Sequence, residues 1–223
     1  MGEYSVGVAT RNKIYEVARR LFYDKGIKAT SYKDICEAAE VNRGLIPYYF
    51  KTKDALAALV LKDYFESLER AVDAHWSGLD QAVRNVLIEI FQFKLLESNE
   101  NVLRFYGEVF SDGAFHAATV EEECEVIRQM CEGTGAKLSP AATETVARML
   151  NGTESELVLA LKEGAMREPL EDYVRRDLLT CYFLLDVPSE RASVWIDKGF
   201  EMARGLTMTC DGEFACSVVP KKG

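Results

Sequence analysis

Three helical patterns lie within residues 10–50, and their spacing constrains the fold more than any other feature of the chain. In residues 10–25 Ile14, Val17, Ala18, Leu21 and Phe22 recur at i, i+3, i+4, i+7 and i+8, one apolar helical stripe. Thr10 is placed to cap the start of this helix, and Gly26 follows its end, where a left-handed residue is favoured. Ser31 and Asp34 have capping-box spacing for a second helix over 32–39. A short break at Glu40, Val41 and Asn42 leads to a third helix over 43–50. So short a turn sets the last two helices at the angle of a helix-turn-helix, whose second helix enters a major groove. Ile35, Cys36 and Ala39 face the small core, Val41 plugs the turn, and Ile46 and Phe50, four apart, anchor the third helix.

That arrangement leaves particular residues for nucleic acid. Asn42 is expected to cap the third helix and aim its amides at a phosphate. Arg43, Gly44, Leu45, Tyr48 and Tyr49 approach the duplex, and Lys51 and Lys53 follow for phosphates. Lys28, Ser31 and Tyr32, at the start of the second helix, are placed to touch the backbone. Without the motif, the same cations would read as ordinary surface charge and the two tyrosines as core. Neighbouring helical residues point about 100° apart, so one tyrosine packs; Tyr49 is expected to be the one facing phosphate.

From Thr30 to Leu56 the residues TSYKDICEAAEVNRGLIPYYFKTKDAL resemble the TetR family of transcriptional regulators, with close agreement over residues 11–57. The family signature runs Thr, an Ile-Ala pair, Ala-Gly-Val-Ser, a Gly, and an aromatic pair with Phe before Lys and a Leu. The resemblance implies a ligand-responsive regulator, commonly a repressor. Its homodimer binds palindromic operator DNA and is released by a small molecule held in the C-terminal body. Two residues depart from the pattern. Glu40 stands where the family has Gly in the turn, and a non-glycine at positive φ costs about 1 kcal/mol. Pro47 stands inside the recognition helix, where it removes a donor and crowds the carbonyl of Arg43, so a tight or kinked first turn is expected.

The rest of the chain also reads as helix. Thr52 is placed to cap a helix over 53–76, and a stripe from Leu79 to Phe91, with Phe93 off it, describes a helix that buries two faces. Further helices are expected near 101–111, 115–132, 140–163 (opened by Ser139-Pro140), 168–185 and 189–208. No strand of convincing length is seen. The fold class is therefore all-α: a three-helix DNA-binding head over 10–52, a helical effector-binding and dimerisation body over 53–209, and a flexible tail over 210–223. In the body Trp76, Phe91, Phe105, Tyr106 and Phe110 are candidates to line an effector pocket, with Gln92, Glu108, His116 and Asn151 to orient the ligand. Plain core is the competing reading for the aromatics. The last two helices are apolar over more than one stripe, which suits a four-helix dimer interface involving Tyr173, Leu178, Tyr182, Phe183, Trp195 and Phe200.

The net charge of −9 looks wrong for a DNA binder until it is divided. Residues 1–66 hold 11 Lys and Arg against 9 Asp and Glu, and the remainder holds 16 against 27, so the acidity belongs to the body. Six cysteines lack C-x-x-C spacing and the two histidines stand alone, so no metal site is expected. The thiols should be reduced and mostly structural, with Cys210 and Cys216 the two to test for redox chemistry. No leader pattern and no long apolar run is present, so a cytoplasmic protein without membrane contact is expected. No cofactor is implied. No paired carboxylates, activated nucleophile or Gly-rich phosphate loop point to an enzyme. The alternative class is a helical adaptor that keeps the fold but works through protein partners, a reading supported by Pro47 and the acidic body.

Overall fold

The computed structural model describes residues 2–110 and 113–221, with the side chains of 2–6, 113–119 and 122 outside the described set. The described residues form α1 (Gly2–Lys25), α2 (Tyr32–Ala39), α3 (Leu45–Phe50), α4 (Lys53–His75), α5 (Gln81–Ser98), α6 (Glu100–Phe110), α7 (Gly113–Thr134), α8 (Pro140–Lys162), α9 (Leu170–Leu184), α10 (Ser189–Met202), β1 (Leu206–Cys210) and β2 (Cys216–Pro220). The fold is all-α apart from the terminal hairpin.

Several boundaries follow from local chemistry. Ser31 Oγ accepts from the Asp34 amide at 3.1 Å, while the Asp34 carboxylate accepts from the Ser31 amide at 2.7 Å. Thr52 caps α4 through the Ala55 amide, and Ser139 caps α8 ahead of Pro140. Gly26 ends α1 at φ +85°, and a Cβ there would lie 2.7 Å from Glu108 Oε1. Other boundaries differ from the sequence reading. α1 begins at Gly2, so Thr10 lies inside it rather than at its start; the apolar stripe marked only the part that packs on the core.

α5 runs through the body, buries residues on both faces from Ala82 to Leu96, and packs against α4, α6, α7, α9, α10 and β1. At its crossing with α10, a Cβ on Gly199 would come within 2.4 Å of Val86 Cγ1. Glycine is what permits that approach.

The expected flexible tail is a correction. β1 and β2 pair antiparallel with Leu206 opposite Pro220 and Cys210 opposite Cys216, and the hairpin packs on α4 and α5. α10 therefore stops at Met202 instead of continuing to 208. Met208 and Phe214 are buried and Thr209 is exposed, a two-residue alternation too short to stand out from a helix end and a polar terminus. Lys221 N donates to Gly205 O at 2.8 Å and closes the open end of the hairpin.

Candidate nucleic-acid interface

α3 is held by Ile46 and Phe50, both buried, and the Arg11 guanidinium lies 5.0 Å from the Phe50 ring centroid. Asn42, Arg43, Gly44, Pro47, Tyr48 and Lys51 are exposed on the other side. Nothing lies within 4 Å of a Cβ built on Gly44, so the backbone there is open to a groove. Tyr48 is 76% exposed, while Tyr49 is half-buried with its ring between those of Tyr48 and Phe50. This reverses the expected roles of the two tyrosines, because Tyr49 turns its hydroxyl toward Gly7 of α1. Leu45 is half-buried in a groove shared with Thr10, Cys36 and Val41, which turns it partly inward.

The start of the recognition helix also differs. α3 begins at Leu45 rather than 43, and Gly44 precedes it with no side-chain cap, so Asn42 does not act as the expected N-cap. Instead the Asn42 carbonyl accepts from the Leu45 amide at 3.0 Å, a tight three-residue turn. Pro47 explains the shift. Starting at Leu45 places Pro47 in the first turn, where backbone donors have no intrahelical partner, so its missing N–H breaks nothing. Glu40 lies at φ 53° and ψ 45°, the left-handed position that glycine would fill, and pairs with Lys13 at 2.8 Å.

Lys51, at the far end of α3, has φ 63° and ψ −64°, and the Thr52 amide donates to the Phe50 carbonyl at 2.7 Å. Together these describe a γ-turn of the rare, strained hand, located where the chain leaves the recognition helix. Lys53 is corrected from its expected role. Its ammonium donates to the carbonyls of Ile27 and Thr30 at 2.7 and 2.8 Å, tying α4 to the α1–α2 loop and not pointing out to phosphate. Tyr32 Oη accepts from the Lys53 amide at 2.9 Å, and Ser31 is engaged in its capping box. The Lys28 amide donates to Glu108 Oε2 at 2.9 Å, while its residue is exposed at the head surface. Glu108 thus belongs to the head–body junction rather than an effector pocket. Arg104 strengthens that junction by donating to the Tyr23 and Asp24 carbonyls at 2.7 and 2.8 Å.

Residues 14–60 match the family model described as bacterial regulatory proteins, tetR family. The chain is 30% identical over 212 residues to the probable HTH-type transcriptional regulator ArpR of Pseudomonas putida, covering 87% of this chain and 91% of that protein. It belongs to the TetR family. A second TetR-family comparison is shorter: identity to the probable HTH-type transcriptional regulator YttP of Bacillus subtilis (strain 168) is 33% over 110 residues, 47% of this chain and 53% of that protein. The crystal structure of RolR in complex with the ligand resorcinol has the same fold, with a TM-score of 0.60 at 20% identity, over 88% of this chain and 97% of that one. The family is one of helix-turn-helix DNA-binding proteins of transcription regulation, and relatives named as regulators fit a protein that is not an enzyme.

In the TetR-family body, the candidate effector residues separate. Gln92, Tyr106 and Phe110 come together: Gln92 Nε2 donates to Tyr106 Oη at 2.7 Å, and Phe110 stacks on Tyr106 at 4.4 Å. Phe105 packs instead on Phe22 and Phe214, while Phe91 packs beside Trp76. Asn151 donates to Glu123. The His116 side chain lies outside the described set. The sequence reading missed Glu154, which accepts from Gln92 at 2.6 Å and from Tyr106, and the neighbouring Glu89 and Asp177. Desolvation raises Glu154 to about 7 and Asp177 to about 6, and it also raises Glu89. Glu89 sits between Ile88 and Ile90 in an apolar run, the signal that would have found it.

The expected dimer residues also separate. Leu178 and Tyr182 are buried in the chain's own core, with Tyr182 Oη donating to Ala82 O at 3.1 Å, so they are corrected from interface to core. Tyr173 Oη accepts from the Arg167 amide; Trp195 lies beneath Arg191, and Phe200 beneath Arg175. Phe183 is 76% exposed, and Leu179 and Val194 are exposed with it. Among the described residues no helix is long and apolar enough to cross a membrane, and no group of three or more His, Cys, Asp or Glu is placed to hold a metal.

Proposed function

We propose that this chain is a ligand-responsive transcriptional repressor that binds palindromic operator DNA as a homodimer and is released by a small molecule in its body. The observation that carries this reading is α3, anchored by buried Ile46 and Phe50 while Arg43, Gly44, Tyr48 and Lys51 project outward. Arg43 and Lys51 supply phosphate or base-edge contact and Tyr48 a large exposed ring. Lys28, in the α1–α2 loop, and Tyr32, at the start of α2, support the same face. Phe183, Leu179 and Val194 provide an apolar face on α9 and α10 suited to a second copy. The set of Gln92, Tyr106, Phe110 and Glu154 offers polar groups beside aromatic rings, the mixture that orients a small ligand. The head over 10–52 and the body over 53–209 are proposed as the working division.

The test is fluorescence anisotropy with duplex DNA from upstream of the protein's own gene, across a salt series. Binding that weakens with salt, and weakens at least tenfold in Arg43→Ala and Tyr48→Ala, supports the reading. Binding to no fragment, with a protein partner co-purifying and unaffected by either change, favours the adaptor instead.

A further inference from the structure

The C-terminal hairpin places two thiols in register and ties them to the DNA-binding head. Cys210 and Cys216 are cross-strand partners, so their side chains leave the same face of the ribbon. Cross-strand partners have Cα separations near 4.5–5.5 Å, within the range a disulfide spans. Both residues are partly exposed, as is Cys131, which has no cysteine opposite it in the hairpin, whereas Cys36, Cys124 and Cys181 are buried. Cys210 Sγ donates to the Asp211 carbonyl at 3.7 Å and Cys216 Sγ to the Phe214 carbonyl at 3.8 Å, while the Cys216 amide donates to Ser67 Oγ of α4 at 2.8 Å. The neighbouring Cys210 thiol lowers the Cys216 thiol below its ordinary value. The adjacent Cys216 sulfur and desolvation raise the Cys210 thiol. A nucleophile and its resolving partner are thus distinguished by their surroundings.

The turn joining these cysteines is built into the head–body junction. Phe214 is buried at φ 55°, a conformation an aromatic residue rarely adopts, with its ring against Tyr23 of α1, Tyr64 of α4 and Phe105 of α6. Glu213 pairs with Arg19 and Arg20 of α1. The Cys210 carbonyl accepts from Tyr23 Oη and Asn99 Nδ2, both at 3.3 Å. Contraction across the Cys210–Cys216 pair acts on each of these contacts with α1.

We propose that Cys210 and Cys216 are a hydroperoxide-responsive thiol pair whose intramolecular disulfide unseats α1 and weakens DNA binding. The DNA consequence rests on the function proposed above. The Cys216 thiolate attacks the peroxide oxygen, the O–O bond breaks, and a sulfenic acid and one water form once the leaving hydroxide takes a proton. The Cys210 sulfur then attacks the sulfenic sulfur, losing its proton, and a second water leaves as the disulfide forms. Both thiols are oxidised by two electrons in total, and the peroxide is reduced to water.

The experiment treats the full-length protein with hydrogen peroxide and reads three signals: peptide masses, amide hydrogen exchange of α1, and anisotropy on upstream DNA. The expected result is a 210–216 crosslink reversed by dithiothreitol, with the other four cysteines still alkylatable. Exchange over residues 14–25 should rise and DNA affinity should fall at least fivefold. Cys216→Ser should lose the crosslink and the response. Cys210→Ser should leave a dimedone-reactive sulfenic acid on Cys216, with circular dichroism confirming that both variants remain helical. Indiscriminate oxidation of all six cysteines, or a crosslink that leaves α1 exchange unchanged, overturns the proposal. If the reduced protein binds no upstream DNA, the function proposed above fails, and the crosslink and α1 exchange still decide the thiol pair. Where the reduced protein does bind, unchanged affinity after crosslinking overturns the coupling to DNA.

Discussion

Glu40 and Lys51 bracket the recognition segment, and both hold positive φ without being glycine. Their strain lies in the backbone, so no lost side-chain contact is needed to predict the effect of relieving it. Glu40→Gly should raise Tm by about 2–4 °C in a thermal melt, since its exposed pair with Lys13 contributes little against the left-handed cost. Lys51→Gly separates two roles. It should likewise stabilise the fold, while the log–log salt slope of DNA binding falls by about 0.9 for one lost phosphate contact. A salt slope equal to wild type would remove Lys51 from the interface. Pro47 shows how a residue can look disruptive in sequence yet cost little in place. The helix start moves two residues, and the missing donor falls where none is required.

At the scale of elements, α5, α6, α8 and α9 bring Glu89, Tyr106, Glu154 and Asp177 into one poorly solvated region. The carboxyl groups ionise less readily in the fold than in the unfolded chain. Below about pH 4 both states retain the protons, and the difference contributes nothing. As pH rises toward about 7 the unfolded chain releases protons that the fold still holds, so stability falls through that window. Asp34, Asp73 and Glu213 are lowered by their hydrogen-bond partners and act oppositely, but their loss of stability comes at lower pH. Melts at pH 5, 6, 7 and 8 should therefore show Tm declining, and Glu154→Gln should flatten the decline. A Tm that rises from pH 5 to 7 in both proteins would contradict the assignment. The hairpin is the other element with a consequence for stability. Phe214→Ala should cost about 3–5 kcal/mol in urea unfolding, because a buried ring wedged among Tyr23, Tyr64 and Phe105 leaves a cavity that helices cannot readily close.

For the whole molecule, α9 makes opposite predictions for two adjacent residues. On the proposed homodimer, Phe183→Asp should shift the protein toward monomer in sedimentation velocity while leaving the helical signal intact, because its ring is exposed in the single chain. Tyr182→Ala should instead lower protomer stability, since its ring is core and its hydroxyl satisfies the Ala82 carbonyl. The head joins the body through several distinct ties: Glu108 to the α1–α2 loop, Arg104 to the end of α1, and Glu213 to Arg19 and Arg20. Any signal that moves α6 or the hairpin reaches α1 through these bonds.

Period and caps made the helices legible before any coordinates: the Ile14-to-Phe22 stripe, the Ser31–Asp34 box, the caps at Thr52 and Ser139 and the inward pair Ile46 and Phe50 depend on neighbours a turn apart. These interactions are local, so residue order suffices to reveal them. The inward turn of Tyr49 and Tyr182, the diversion of Lys53 to two carbonyls, the gathering of Glu89, Glu154 and Asp177, and the seating of Phe214 beneath α1 required the assembled fold. Each depends on partners distant in sequence, where packing and desolvation select among conformations that local pattern leaves equally open.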